Sequence, residues 1–311
     1  MKLKVLGSAA GGGFPQWNCN ARLSRLVREG QPGLSPRTQS SLALSADGER
    51  WVICNASPDI RQQIAATPEL HPRANQTLRN SPIKAVVLTN GDVDHIAGLL
   101  SLRERHPFSL YGTHRILHVL DENSVFRVCD PEIVTRTEFE IGEEIELAGP
   151  EGPLGVIIEP FAVPGKVPLY MEDLSNLSAN FGANEGDTIA LKVAARGSNA
   201  VAYYIPGCAY LTDALKARVA GADALLFDGT VYHDDEMIRE GVGTKTGARM
   251  GHIAIAGENG SLAAFADVAV KRKIYIHINT TNPILEPGSE AEQAVRAGGW
   301  EIGFDGMEID L

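Results

Sequence analysis

The sequence lacks a long hydrophobic run. No stretch approaches the roughly 18 apolar residues that a helix needs to span a bilayer, and the apolar run within the amino-terminal MKLKVLGSAAGGG is only a few residues long. That run is too short for the core of a signal peptide and is typical of a first β-strand. We therefore expect no membrane insertion, which excludes a channel, and no export.

Cysteine is scarce, and acidic residues outnumber basic ones. The 4 cysteines lie far apart without a Cys-x-x-Cys pair. Together with the expected lack of export, this favours reduced thiols in a cytoplasmic protein. The 28 Lys and Arg residues against 39 Asp and Glu give a net charge of −11. Because this charge would repel a phosphate backbone, nucleic acid is not an expected partner.

What the chain does have is enough length and apolar content for a large core. Of its 311 residues 44% are hydrophobic, and 32 Gly and 17 Pro are scattered, which indicates a globular protein. The length fits one large domain or two compact halves. Strand patterns occupy 2–6, 40–45, 51–54, 84–89, 141–147, 155–161, 187–194, 200–205, 223–228 and 273–278, and helical patterns 58–66, 95–105, 114–121, 211–220, 260–271 and 289–297.

The order of these patterns predicts the architecture. Strands come in consecutive pairs as well as alternating with helices, and the pair around Asp47-Gly48 is typical of a hairpin. We predict two mixed sheets packed on each other, with helices outside. Two long loops, 8–20 and 164–186, are candidates for functional segments, with a plain surface excursion as the alternative.

Polar residues cluster directly after one apolar strand, in IKAVVLTNGDVDHIAGLL. Asp92 and Asp94 alternate on a short extended stretch, so their carboxylates can point the same way, and His95 adds a nitrogen next to them. A helix begins at this point, and such a turn at the carboxyl end of a strand is open to ligands. The cluster predicts a metal site. The alternative is that Asp94 only caps the helix and Asp92 is solvated.

Two further histidines could complete a metal site. His277 ends an apolar strand in KIYIHINTTNPI, beside Asn279, and His252 lies in GARMGHIAIAG. A single histidine at such a position is more often a hydrogen-bonded structural residue than a ligand, so both readings stay open for each of them.

The glycine run at 11–13 lacks the spacing and the lysine of a phosphate-binding loop. It indicates instead a tight backbone passage near the pocket. Phe14 and Trp17 follow this run, and they could stack on a flat aromatic substrate. We expect them to pack in the core.

The polar turn resembles the H-x-H-x-D-H signature of the metallo-β-lactamase superfamily, with Asn90, Asp92, Asp94 and His95 on the four signature positions. Longer segments are similar to the coenzyme pyrroloquinoline quinone (PQQ) biosynthesis protein B family: GSAAGGGFPQWNCN, RTQSSLALS, CNASPDIRQQ, DHIAGLLSLRE, DGTVYHDDEM, MGHIAI, HINTTNPIL and FDGMEIDL. The resemblance extends from residue 2 to 311. It implies a single metallo-β-lactamase-like domain over 1–311, an α/β (α+β) fold built as a four-layer αββα sandwich.

The departures from the superfamily pattern concern the second metal. Asn90 and Asp92 replace the two early histidines of the signature. The third-histidine region, FAVPGKVPLY, offers Pro164 and Gly165, and the bridging aspartate falls near Gly207. A dinuclear hydrolase needs two metal ions to stabilise the attacking and leaving oxygens. The ligands for one of them are missing, so we expect a single metal site.

The remaining set combines imidazole with carboxylate and contains no thiolate, which suits iron(II). The resemblance implies the same, since members of this family are regarded as iron-dependent hydroxylases that use dioxygen on the tyrosine ring of a Glu-Tyr species derived from the precursor peptide. It implies metal-binding and catalytic roles for Asp92, Asp94, His95 and His277, and contacts to the substrate or to the ligands for Asn90, His252 and Asn279.

Many relatives carry a Cys-x-Cys-x-x-Cys cluster that binds a structural zinc ion in the amino-terminal loop. This chain has Cys19, then Ala21 and Ser24 at those positions. Because one thiol cannot complete a tetrahedral site, we predict no structural zinc in this loop.

Two other functions stay open. Members of this family have also been described as non-catalytic carriers that help to transport PQQ or its precursor to the periplasm, a role that involves delivery to other PQQ-biosynthesis proteins. The third function is a metal-dependent hydrolase such as a phosphodiesterase, which the missing second-metal ligands disfavour. The expected ligand is thus a small peptide-derived or quinone molecule.

Overall fold

The computed structural model describes residues 1–165 and 186–311. Its strands are β1 (Lys2–Gly7), β2 (Ser41–Ser45), β3 (Trp51–Cys54), β4 (Ile83–Val87), β5 (Ser109–Gly112), β6 (Thr135–Glu138), β7 (Ile145–Gly149), β8 (Gly152–Ala162), β9 (Ile189–Ala195), β10 (Val201–Ile205), β11 (Ala224–Asp228), β12 (Arg272–Ile276), β13 (Trp300–Ile302) and β14 (Glu308–Asp310). Its helices are α1 (Arg22–Arg28), α2 (Ile60–Ala66), α3 (Val93–Ile96), α4 (His114–Glu122), α5 (Asp213–Val219), α6 (Glu236–Arg239), α7 (Gly247–Met250), α8 (Ser261–Ala264) and α9 (Glu290–Ala297).

The described strands form two seven-stranded sheets of mixed direction. The first has the order β14-β1-β2-β3-β4-β5-β6 and the second the order β13-β12-β11-β10-β9-β8-β7. Strands β3 to β6 pair in parallel, as do β10 to β13, and the remaining neighbours are antiparallel. The predicted hairpin joins β2 to β3, and Gly48 supplies the positive φ, +77°, that its turn requires.

One core lies between the two sheets. Leu42 and Val86 of the first sheet are fully buried in the same apolar cluster as Val156 and Leu226 of the second. A second cluster covers the outer face of the second sheet, where Phe227 packs against Phe265, which directly follows α8, and against Trp300 of β13. Helices α2 and α4 contribute to the first cluster, and α1, α5 and α9 to the second. The prediction of two mixed sheets flanked by helices is confirmed.

The structure corrects several predicted boundaries. The helix expected over 95–105 begins at Val93, is α-helical only to Ile96, and continues as a 3₁₀ helix over Ala97–Leu102. The helix expected over 260–271 is restricted to Ser261–Ala264. Strands β5, β6, β13 and β14 were not predicted, nor were α1, α6 and α7. Residues 166–185 of the candidate loop 164–186 lie outside the described residues.

Two aromatic side chains of the amino-terminal loop behave differently. Phe14 is 2% exposed and packs in the core as expected. Trp17 is 85% exposed, so the expectation that it packs in the core is wrong.

Among the described residues, none of the helices combines the length and the apolar character that crossing a bilayer requires.

Candidate metal centre

The carboxyl ends of strands from both sheets meet at one cavity of about 370 Å³. The turn after β4 contributes to it from the first sheet, and the segments after β10, β11 and β12 contribute from the second. The polar residues that line the cavity include Asn90, Asp92, Asp94, His95, Thr230, His252, His277 and Asn279. All the candidate site residues predicted from the sequence therefore line this cavity.

Asn90 determines which nitrogen of His95 carries a proton. The Asn90 Oδ1 atom accepts a hydrogen bond from the backbone N–H of Asp92, at 2.9 Å, and lies 2.7 Å from His95 Nδ1. Because a carbonyl oxygen only accepts, Nδ1 donates to it, and His95 Nε2 keeps a free lone pair. That Nε2 atom is buried and has no hydrogen-bond partner among the described residues. A buried nitrogen in this state is suited to bind a metal ion.

His277 is held in an unusual backbone conformation at the end of β12. Its φ is +55°, in the left-handed region that is uncommon for a residue other than glycine. The Thr230 hydroxyl donates to Asp228 Oδ1 at 2.6 Å, so it accepts from His277 Nδ1 at 2.8 Å. The other ring nitrogen, Nε2, therefore faces Asp94, whose Oδ2 atom is 3.3 Å away.

Asp94 completes a three-residue group. One ligand atom each from Asp94, His95 and His277 lie within 4.8 Å of one another. Burial alone would raise the pKa of Asp94, but the His95 and His277 imidazoles lower it below its ordinary value. Burial lowers the pKa of His95, which keeps this imidazole neutral. At His277 burial also lowers the pKa, but Asp94 together with the charges of Asp228 and Asp92 outweighs it, so the pKa of His277 is raised.

Asp92 and Gly11 lie beside this group. Asp92 is the residue that caps α3, and its side chain accepts no capping hydrogen bond from the helix. It lines the cavity, and among the described residues it lies outside the three-residue group. A Cβ atom on Gly11 would stand 3.3 Å from Asp94 Oδ2. The expectation of a tight backbone passage near the pocket is confirmed, since this glycine allows the loop to approach the carboxylate.

Asp228 is a site residue that the sequence reasoning missed. It is fully buried at the end of β11, and it groups with His252 and His277 within 4.8 Å. Its Oδ2 atom accepts from Cys208 N–H at 2.8 Å and from His252 Nδ1 at 2.7 Å, and its Oδ1 atom accepts from the N–H and the hydroxyl of Thr230. Burial would raise the pKa of Asp228, but His252, the charge of His277 and the hydrogen bond from Thr230 lower it below its ordinary value.

The hydrogen bonds of Asp228 indicate a supporting role. With two donors on each oxygen, its carboxylate orients Thr230 and His252, and Thr230 in turn orients His277. The His252 ring stacks on the His277 ring with centroids 5.0 Å apart. An acidic residue that ends an apolar strand, as in ALLFDGT, is the signal that would have identified Asp228 from the sequence.

The positions that depart from the superfamily pattern are placed as follows. Gly207 lines the cavity, and a Cβ atom there would stand 3.7 Å from His252 Cε1. Gly165 packs instead against Thr188.

In the amino-terminal loop the Cys19 thiol is buried, and its Sγ accepts a hydrogen bond from Ala21 N–H at 3.4 Å. That this loop binds no structural zinc stays a prediction.

The fold and the site define a class of protein. The family profile described as the β-lactamase superfamily domain matches residues 50–278. The crystal structure of Zn²⁺-bound PqqB from Methylobacterium extorquens superposes with a TM-score of 0.93 at 52% identity, covering 100% of both chains. A diphosphatase from the PhnP family superposes with a TM-score of 0.68 at 21% identity, over 99% of this chain and 96% of the other, and it shows the fold alone.

The closer relatives define the family within that class. The chain is 55% identical to coenzyme PQQ synthesis protein B of Methylorubrum populi, over 100% of both chains. It is 50% identical to the protein of the same name from Xanthomonas oryzae pv. oryzae, again over the full length of both. The chain belongs to the coenzyme PQQ synthesis protein B family, within the β-lactamase superfamily.

Proposed function

We propose that this protein hydroxylates the tyrosine ring of a Glu-Tyr intermediate in PQQ biosynthesis, with a single iron(II) ion and dioxygen. The observation that carries the proposal is the group formed by Asp94, His95 and His277, whose ligand atoms lie within 4.8 Å of one another. Two imidazoles and a carboxylate with open positions are the ligand set typical of non-haem iron(II) oxygenases.

The residues fit such an ion. His95 presents a buried Nε2 that has no hydrogen-bond partner in the described part of the chain, and Thr230 fixes His277 so that its Nε2 faces Asp94. Asp92 lines the same cavity and is the fourth proposed ligand. Bound iron(II) would supply the activation of dioxygen, with electrons from an external reductant.

The zinc ion bound by PqqB of M. extorquens bears on the choice of metal. Imidazole and carboxylate ligands bind zinc more tightly than iron(II) in the usual order of divalent metals, so selection in the cell depends on supply and geometry as well as affinity. Zinc in a close relative is therefore consistent with iron as the working ion. An activity test has to start from protein stripped of zinc.

The rest of the cavity suits an acidic, aromatic dipeptide. Its volume of about 370 Å³ is in the range of small-molecule pockets. Met237 and Met250 supply apolar, polarisable surface for an aromatic ring. Lys245 brings a positive charge that attracts a substrate carboxylate, and Asn279 offers an amide for hydrogen bonding. These side chains bind and orient the substrate next to the metal ligands.

The test is a single-turnover reaction. Zinc-free protein is loaded with iron(II) without oxygen, a Glu-Tyr dipeptide is added, and oxygen is admitted with a reductant. We expect a product that is heavier by about 16 mass units for each oxygen atom inserted. His95→Ala should abolish the product, and His118→Ala, an exposed histidine on α4, serves as the matched control.

Other outcomes would favour the alternatives. An unchanged dipeptide together with tight binding of free PQQ would contradict the hydroxylase and support a carrier. Cleavage of a phosphodiester by the zinc-loaded protein would support a hydrolase.

A further inference from the structure

A chain of buried hydrogen bonds leads away from the cavity at Asn279. Asn279 Nδ2 lies 2.6 Å from Thr281 Oγ1, and Thr281 Oγ1 lies 2.7 Å from Glu236 Oε1. The other oxygen of Glu236, Oε2, accepts from the backbone N–H groups of Tyr232, at 2.6 Å, and His233, at 3.2 Å. Glu236, Thr281 and Asn279 are all buried. Neither Glu236 nor Thr281 takes part in the proposed metal site.

The chemistry of Glu236 fixes the direction of this chain. A carboxylate only accepts hydrogen bonds, so the Thr281 hydroxyl donates a hydrogen bond to Glu236. The oxygen of Thr281 then accepts from the Asn279 side chain, which requires the NH₂ group of Asn279 on that side. The carbonyl Oδ1 of Asn279 is the amide atom that remains for the cavity, which Asn279 lines.

We propose that Glu236, acting through Thr281, orients Asn279 so that its carbonyl oxygen faces the cavity and selects ligands that present a hydrogen-bond donor there. In this arrangement Glu236 and Thr281 are positioning residues, and Asn279 is the residue that contacts the ligand. The identification of that donor as the phenol O–H of a tyrosine ring rests on the proposed function. A ligand with only an acceptor at this point would leave two acceptors facing each other.

Protonation of Glu236 would reverse the chain. Because Oε2 already accepts two N–H groups, a proton would reside on Oε1 and be donated to Thr281, whose hydroxyl would then donate to Asn279 Oδ1. The Asn279 amide would turn and present its NH₂ group to the cavity. The Glu236→Gln variant imitates this state, because its carbonyl oxygen is needed by the two backbone N–H groups and its NH₂ group therefore faces Thr281.

The surroundings of Glu236, above all its burial, set the pH of this reversal. Burial raises the pKa of Glu236 to about 7, and the negative charge of Glu240 adds to the effect. Arg22, His233 and Arg239 line an adjoining cavity together with Glu236. We therefore expect the preference for a donor ligand to be strong at pH 8 and to weaken as the pH falls through about 7.

Binding to the zinc-loaded protein tests the inference without turnover. We compare a Glu-Tyr dipeptide with the same dipeptide carrying an O-methyl group on the phenol, by calorimetric titration at pH 8. The wild-type protein should prefer Glu-Tyr by about tenfold or more, the cost of leaving a buried acceptor unpaired. Glu236→Gln should lose or invert this preference with its melting temperature largely retained. Glu240→Gln, a neighbouring substitution outside the chain, should keep it.

A double variant provides a rescue. In Glu236→Gln combined with Asn279→Asp, the Gln NH₂ group donates to Thr281, and Thr281 donates to one oxygen of the carboxylate introduced by the second substitution. The other oxygen of that carboxylate faces the cavity as an acceptor. The preference for Glu-Tyr should return. The absence of recovery would contradict the orienting role.

Proton exchange at the Asn279 side chain tests the chain independently of any ligand. In ¹⁵N-labelled protein the Asn279 NH₂ protons should exchange slowly with water in the wild type and faster in Glu236→Gln. Equal rates in the two proteins would overturn the inference. If the rates differ as expected but neither dipeptide binds, the hydrogen-bond chain stands and the proposed substrate is wrong.

Discussion

At the scale of single residues, the proposed metal site depends on groups that orient the ligands. Asn90 Oδ1 accepts from His95 Nδ1, and the Thr230 hydroxyl accepts from His277 Nδ1, so that Nε2 is the ring nitrogen of each histidine that would bind the proposed ion. Such partners commonly change metal affinity by about 10-fold to 100-fold when they are removed. Asn90 should therefore influence metal binding even though it need not touch the metal itself.

Replacing Asn90 with Ala should lower the affinity for a divalent metal ion by about 10-fold to 100-fold, because His95 loses the acceptor that fixes its tautomer. Asn90→Asp keeps an acceptor at the same place and should retain most of the affinity. Competition with a chromophoric chelator measures both. Equal affinities of Asn90→Ala and the wild type would show that the tautomer is set in another way.

Glu236 leads to a second prediction at this scale, on stability against pH. Its pKa is about 7 in the folded protein, above the ordinary 4.5, so the folded state binds more protons than the unfolded state between these values. The stabilisation that Glu236 contributes is thus lost as the pH rises through this window. In total the free energy of unfolding falls by about 3 kcal/mol on this account.

Urea unfolding of the wild type and of Glu236→Gln at pH 5 and pH 8 checks the sign. The wild type should lose about 3 kcal/mol more than the variant over this interval. Parallel pH profiles of the two proteins would show that Glu236 has an ordinary pKa. Glu240→Gln controls for the removal of one negative charge nearby.

The sequence identified some of these residues and not others. Asp94, His95 and His277 stand out because they follow apolar strands, and the structure brings them into one cavity. Glu236 and Thr281 lie 45 positions apart and have no local signal, since only folding places the carboxylate against the hydroxyl. Thr230 escaped notice for the same reason.

At the scale of elements, the position of α3 is set by a close backbone contact. The 3₁₀ helix that continues α3 passes so near the segment after β3 that a Cβ atom on Gly98 would stand 2.1 Å from the Ser57 carbonyl oxygen. Gly98 N–H also donates to the Ala56 carbonyl at 2.8 Å. This contact holds the helix that carries Asp94 and His95 against the first sheet.

Gly98→Ala should therefore reduce the free energy of unfolding by about 1–3 kcal/mol, since neither backbone can give way easily. Metal affinity should fall as well, because α3 moves. Urea unfolding and the chelator competition measure the two effects, with Ser101→Ala on the same 3₁₀ helix as the control. A fully stable variant would mean that the contact is looser than the structure indicates.

Elements with a strong local pattern were predictable, and the short polar strand β6 was not. Strand β4 and the following turn were evident from an apolar run that ends in acidic residues. Strand β6, whose sequence is TRTE, contains no buried residue. It forms because it pairs with β5 at the edge of the first sheet, which no local pattern reveals.

At the scale of the whole molecule, the proposed metal ion connects the two sheets. Asp94 and His95 follow β4 of the first sheet, and His277 follows β12 of the second. The order of the strand and helix patterns predicted the two packed sheets correctly, and the resemblance assigned metal binding to residues that the patterns had already singled out. A ligand shared between two sheets binds only the folded state, so the metal should raise the melting temperature as well as support the proposed reaction.

The central claim is that one divalent ion is bound by Asp94, His95 and His277, and metal content measures it most directly. Purified protein is stripped, reloaded with iron(II) without oxygen, desalted and analysed by mass spectrometry of the metal. The wild type and His118→Ala should each retain about one equivalent, and His277→Ala less than about a tenth of that. A full equivalent of iron in folded His277→Ala would contradict the account.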